Sequence, residues 1–196
     1  MWRIVGAVVG FLALAGSAGA QARLVLNWGQ AHLPPGDWQV RMLPDGAQAE
    51  RVLGPTQRLS ATMRLEPGPG QVGEPVEQRL ERRVEALRQS LMALRKGLIY
   101  FEAFPMTSTP RPCHFVQSIV TEVPPYAVPG DWWSDYALHM ICALPGEAGL
   151  AVMGFAERLG TRDTDYRDRN AEGEDFFASL VVGPSAGSGP EVAKRP

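Results

Sequence analysis

Two cysteines, Cys113 and Cys142, stand at the outer ends of two strand-like runs, 113–123 and 132–142, and this placement constrains the chain more than any other feature. If the runs are the arms of an antiparallel hairpin with Val123 facing Trp132, paired residue numbers sum to 255 and Cys113 faces Cys142. The same register sets Phe115 against Met140, Gln117 against Leu138 and Ile119 against Tyr136, which is a mostly apolar face. Trp132 falls on that face and reads as core. One register thus explains a core face and a cysteine pair together. Alternation throws His114 and His139 onto the opposite face as diagonal neighbours, so the two cysteines and two histidines do not converge on one ion. A disulfide is expected and a metal site is not. The histidines read as polar residues on the less apolar face, although two so close could form a pH-sensitive pair.

Other segments declare their period directly. Leu24 to Trp28 and Trp38 to Met42 read as short strands flanking the turn-rich Pro34-Pro35-Gly36-Asp37. In Gln57 to Glu66, Leu59, Ala61, Met63 and Leu65 alternate with Arg58, Ser60, Thr62 and Arg64, as in a sheet with one wet face. From Val76 to Leu94 the period changes. Val76, Leu80, Val84, Leu87, Leu91 and Leu94 fall at spacings of 4, 4, 3, 4 and 3, one apolar stripe of a helix. Pro75 suits its first turn, Glu74 and Glu77 suit its positive end, and Arg95-Lys96-Gly97 suits its C-terminus. Four strands follow, at Leu98 to Phe104, Cys113 to Val123, Trp132 to Leu144 and Leu150 to Leu159. Glu174 to Val182 reads as a short helix burying Phe176, Phe177 and Leu180. The order βββ-α-ββββ-α predicts an α+β fold, an antiparallel sheet of about seven strands with one long helix and one short C-terminal helix packed on it.

The N-terminus holds a single charge, Arg3, before twelve uncharged residues from Ile4 to Ala15 and small residues spaced for cleavage at Ala18/Ala20 or Ala20/Ala22. This reads as a secretory signal peptide over residues 1–22. The alternative, a membrane anchor, would need an apolar run nearer ~20 residues. No later stretch approaches that length, so no stable membrane insertion is expected after cleavage. A single domain is expected over 23–182, and 183–196 has the composition of a disordered tail. Net charge is −2, or −3 without the first twenty residues, which hold one arginine and no acid. Such a surface argues against nucleic acid as a partner.

The opening His32-Leu33-Pro34-Pro35-Gly36-Asp37-Trp38, the long amphipathic helix before the second half of the sheet and the closing Glu174-Asp175-Phe176-Phe177-Ala178-Ser179-Leu180 resemble the PsbP/DcrB-like superfamily across most of 23–182. The resemblance implies a small, non-enzymatic envelope, lumenal or chaperone-like binding protein. Both cysteines and the proline loop after Val123 depart from that pattern.

Several motif matches dissolve in context. Gly68-Pro69-Gly70-Gln71-Val72-Gly73 fits a dinucleotide fingerprint. Its preceding strand alternates, however, Glu66 and Glu74 bracket it, and no βαβ series follows. Gly183 to Gly187 matches a nucleophile elbow but lies in the tail. Asp163 to Asp168 suggests a calcium loop, yet Arg167 occupies a ligand position. No cofactor is expected. The proline-stiffened loop Pro124 to Trp133 offers Tyr126 and Trp133 as residues that would meet a partner. The sequence thus predicts an exported, periplasmic or secreted, non-enzymatic binding or assembly protein of the cell envelope. Its partner would be an envelope protein or a small ligand. The alternative is a small secreted hydrolase with His114 or His139 as base, though no nucleophile stands in a matching context beside either.

Overall fold

The computed structural model describes residues 22–66, 74–93, 97–106, 109, 111–122, 132–144, 149–160 and 169–183. The cysteine-bearing hairpin lies towards one edge of its larger sheet. Strands β7 (Cys113–Glu122) and β8 (Trp133–Ala143) pair antiparallel with Cys113 opposite Cys142, Phe115 opposite Met140, Gln117 opposite Leu138 and Ile119 opposite Tyr136, the register read from the sequence. Strand β6 (Gly97–Met106) flanks β7, and β9 (Leu150–Gly160) flanks β8. Beyond β9 lie β5 (Arg58–Glu66), β4 (Gly46–Val52) and β3 (Gln39–Leu43), giving a seven-stranded antiparallel sheet ordered β3-β4-β5-β9-β8-β7-β6. The α+β class is therefore as expected.

The number of strands ahead of the long helix is corrected from three to five. Strands β1 (Arg23–Leu26) and β2 (Gly29–His32) form a separate small sheet with β10 (Val181–Val182), in the order β1-β2-β10. The terminal helix also lies four residues earlier than expected, at the same length of nine residues. Helix α2 spans Asn170–Ala178, and Val181 and Val182, β-branched and suited to extended backbone, pair with Gln30 and Gly29. Glycine at 29 permits this approach, since a Cβ there would stand 2.8 Å from the Val181 carbonyl oxygen. The Ser179 hydroxyl accepts the His32 N–H at 2.8 Å and holds the two segments together.

Both faces of the large sheet are covered, by different means. Helix α1 (Val76–Ala93) crosses β6, β7 and β8 and buries Leu80 against Val116, Ile141, Ala143 and Leu150, with Val84 and Leu87 half-buried alongside. These are the expected stripe positions; Leu94 lies outside the described residues. The other face carries α2 and the small sheet, which enclose Leu24, Met63, Met153, Phe155, Phe176 and Phe177. Leu180, expected to be buried, packs half-buried at the edge of that core. In β5, Leu59, Ala61 and Met63 are fully buried while Ser60 and Thr62 are not, so the alternation marked the two faces correctly.

Gly149 closes the route into β9 with φ +129, and a Cβ there would stand 2.3 Å from the Glu66 carbonyl oxygen. Its own carbonyl accepts from Leu144 N–H at 3.1 Å and from the buried Arg79 guanidinium at 3.4 Å. Gly149→Ala is expected to destabilise the fold by about 2 kcal/mol, from a backbone conformation that side chains disfavour and a backbone clash. A lower urea midpoint at unchanged m-value would show it.

Candidate functional site

Alternation along β7 and β8 places Cys113 and Cys142 on the α2 face, with their sulfurs 2.08 Å apart and their Cα atoms 4.1 Å apart. At 3% and 2% exposure they are shielded from solvent. His114 and His139 lie on the α1 face, opposite Ile141 and Val116, so the two histidines are divided from the cysteines as their parity requires.

His139 does not sit on an open polar face, because α1 covers part of it. The residue as a whole is half-buried, but its Nε2 is sealed from solvent and has no hydrogen-bond partner. Burial, seconded by the nearby Arg83 guanidinium, lowers its pKa from 6.5 to about 4. Its neighbour across the pair is Gly154, where a Cβ would stand 3.4 Å from the His139 Nδ1. Ser118, fully buried, is diagonal to His139, being opposite Ala137 in a register that sets Val116 opposite His139. The Ser118 Oγ also lacks a partner, so no hydrogen bond joins it to His139. The nucleophile–base contact of a hydrolase is not made there.

A polar hollow of about 360 Å³ adjoins these residues, lined by Ser60, Ser118, His139, Asp135 and Arg158 among others. Two of its charges, Asp135 and Arg158, engage each other. The Arg158 guanidinium donates to both Asp135 oxygens at 2.6 and 2.8 Å and approaches Glu122 at 3.5 Å. The Asp135 hydrogen bond holds Arg158 above its ordinary pKa. Arg158 also lies 4.9 Å from the centroid of the Trp133 ring. Trp133, half-buried, is thus committed to a contact within the chain. Trp132 corrects an expectation, being 54% exposed where it was read as core. The described strand begins at Trp133, paired with Glu122, so Trp132 precedes the ladder that would have buried it. Tyr126 lies outside the described residues, as do the signal segment 1–21, the 68–73 glycine motif, the 163–168 acidic run and the tail from 184 onward.

A second, apolar hollow lies on the other face, beside the disulfide. Two cross-strand rows run over β6, β7, β8 and β9: Phe104, Phe115, Met140 and Met153 in one, Met106, Cys113, Cys142 and Ala151 in the next. Core packing buries the β9 ends of both rows, Met153 and Ala151, completely or nearly so, whereas Phe104 on the outer strand is 44% exposed. Over the β6, β7 and β8 members of these rows opens a pocket of about 470 Å³, walled also by Phe177 of α2. Aromatic contacts shape it, with ring centroids 5.3 Å apart for Phe104 and Phe115 and 6.0 Å for Phe115 and Phe177. Its volume lies within the ~300–1,000 Å³ typical of small-molecule sites. Hairpin pairing revealed the Phe115, Met140 and cysteine part of this wall. The contributions of Phe104, Met106, Arg111 and Phe177 depend on which strand neighbours β7 and on where α2 ends, and neither is written in local periodicity.

The fold and site together define a class: an α+β protein whose antiparallel sheet carries a long helix on one face and, on the other, a short helix beside an apolar pocket. Comparison with solved structures finds it similar to the cyanobacterial PsbP (CyanoP) solution structure from Synechocystis sp. PCC 6803, at 13% identity, 89% coverage of this chain, 100% of that chain and a TM-score of 0.47. No protein-family model matches the chain, and no curated protein matches it. Among the described residues, no helix is long and apolar enough to cross a membrane.

Proposed function

We propose that the chain is an exported, non-enzymatic binding protein of the cell envelope, and that its ligand site is the pocket between β6, β7 and α2. The observation that carries the reading is that pocket's construction: a concave apolar wall about 470 Å³ in volume, built on paired strands and backed by the Cys113–Cys142 pair. Rigid strands hold such a wall open at little ordering cost, as a preorganised site requires. Support for export comes from the cleavable N-terminal pattern and from two cysteines placed at disulfide distance, an arrangement that persists in oxidising compartments.

Binding of the neutral fluorophore N-phenyl-1-naphthylamine tests the site. The wild-type protein is expected to give saturable fluorescence. Ala178→Trp, on the exposed flank of α2 that lines the pocket, is expected to weaken binding about tenfold or more by filling the space. Its thermal midpoint should shift by no more than about 3 °C, because the position is on the surface. Absence of saturable binding in the wild type would overturn the reading.

A further inference from the structure

Arg111, half-buried, lines this apolar pocket, and among the described residues no ion pair or side-chain hydrogen bond engages its guanidinium. A guanidinium keeps its charge, so an anionic acceptor entering the pocket gains a charge-assisted contact that no described group of the chain already makes. The other polar groups lining the pocket do not supply it. The Thr109 hydroxyl donates to the Arg111 carbonyl at 2.7 Å, leaving that side chain turned to backbone. Glu174, on α2, is exposed. The remaining lining is hydrocarbon, aromatic ring and sulfur, with Phe104 and Met106 on one strand and Phe115 and Met140 on the next two.

We propose that the ligand of this pocket is a carboxylate bearing a hydrocarbon tail, with its head on Arg111 and its tail along Phe104, Met106, Phe115 and Met140. This rests on the pocket being the binding site. The charge of the lining sets the charge of the head. Arg111 is the one cation lining the pocket among the described residues, and Glu174 is nearby. Glu174 is exposed and keeps its own hydration, so a single negative charge is matched by Arg111, whereas the second charge of a phosphate dianion would find no further cation on the lining among the described residues. An amine would find Glu174 but leave Arg111 unpaired and repel it. The tail gains from methionine and aromatic walls that adapt to an unbranched chain.

Displacement of N-phenyl-1-naphthylamine from the purified protein at pH 7.5, below micellar concentrations, compares three ligands with one tail: dodecanoate, dodecanol and dodecylammonium. Dodecanoate is expected to bind about tenfold more tightly than dodecanol, the gain of one charge-assisted head contact. Arg111→Leu should bring dodecanoate to the dodecanol level, removing the acid preference. Equal affinity for acid and alcohol in the wild type, or an acid preference that survives Arg111→Leu, overturns the inference and leaves the pocket as a binding site. Preference for dodecylammonium overturns it too and assigns head recognition to Glu174. If the fluorophore itself does not bind, the site assignment falls and the inference falls with it. The wild-type series needs no variant to fold, so the head preference is tested in any case.

Discussion

Loss of the Cys113–Cys142 link is expected to lower stability by about 3 to 4 kcal/mol, the denatured-state entropy of a loop of roughly thirty residues in the chain-entropy model. The separation of 29 residues sets this size, and the complete burial of both side chains keeps the link from solvent reductants while the chain is folded. Strands β7 and β8 are paired along ten consecutive positions, so folding already brings the cysteines together, and the covalent link acts mainly by restricting the unfolded chain. A Cys113→Ala/Cys142→Ala variant should therefore retain the native circular dichroism spectrum and melt about 10 °C lower, as a loss of that size implies in a domain of this length. Its urea midpoint should fall as well. Intact mass with thiol alkylation and no reductant checks the pairing itself. The expected mass is unchanged by alkylation and lacks residues 1–20 or 1–22. Two alkylations on an uncleaved chain would place the protein in a reducing compartment and remove the basis for export.

The register that brings the cysteines together was legible because a strand's side-chain period is two. A one-residue slip would have put Cys113 and Phe115 on the face opposite to Cys142 and Met140, so parity settled it. The long helix was legible for a similar reason, since its stripe from Val76 to Leu91 repeats often enough to exclude a strand. Strand β4 was not. Its inward residues include Ala47 and Ala49, fully buried but too small to stand out from Gln48 and Glu50 in a hydrophobicity pattern. Strand β2, Gly29–His32, is four residues long, and its central Gln30 pairs on both sides. Strand β10 was absorbed into the preceding helix because Val181 and Val182 continue an apolar run, and only a tertiary partner makes them a strand. The pocket shares this origin. Phe115 and Met140 could be placed on one face from the hairpin alone, but the wall that Phe177, Ala178 and Leu180 add depends on where α2 docks, which is a tertiary contact. The hidden state of His139 was missed likewise, since the sequence gives no sign that α1 lies over that end of β8.

That burial has a measurable consequence. With a pKa of about 4 in the folded chain against 6.5 when exposed, His139 is expected to lower stability by about 3 kcal/mol between neutral pH and pH 4. Above pH 6.5 the imidazole is neutral in both states and contributes no pH dependence. Between 6.5 and 4 the unfolded chain takes up a proton that the folded chain refuses, so stability falls as pH falls. Below 4 both states are protonated and this contribution is flat. The principal cause is desolvation of an imidazolium in a site where Nε2 has no acceptor; the second is Arg83, held in place by its ion pair with Glu66 at 2.5 Å. Carboxylates also weaken the fold in acid, so the informative quantity is the difference between proteins. Urea midpoints for wild type and His139→Gln should converge as pH drops from 7 to 4, with the variant's curve losing the slope that begins near pH 6.5. Arg83→Gln should reduce that slope only partly, because burial remains when the cation is gone. A wild-type curve parallel to that of His139→Gln across this window would mean that His139 is protonated in the folded chain. Nε2 would then need an acceptor where the structure places none, and the packing of α1 over β8 would have to be looser than its contacts with Val116 and Ile141 require.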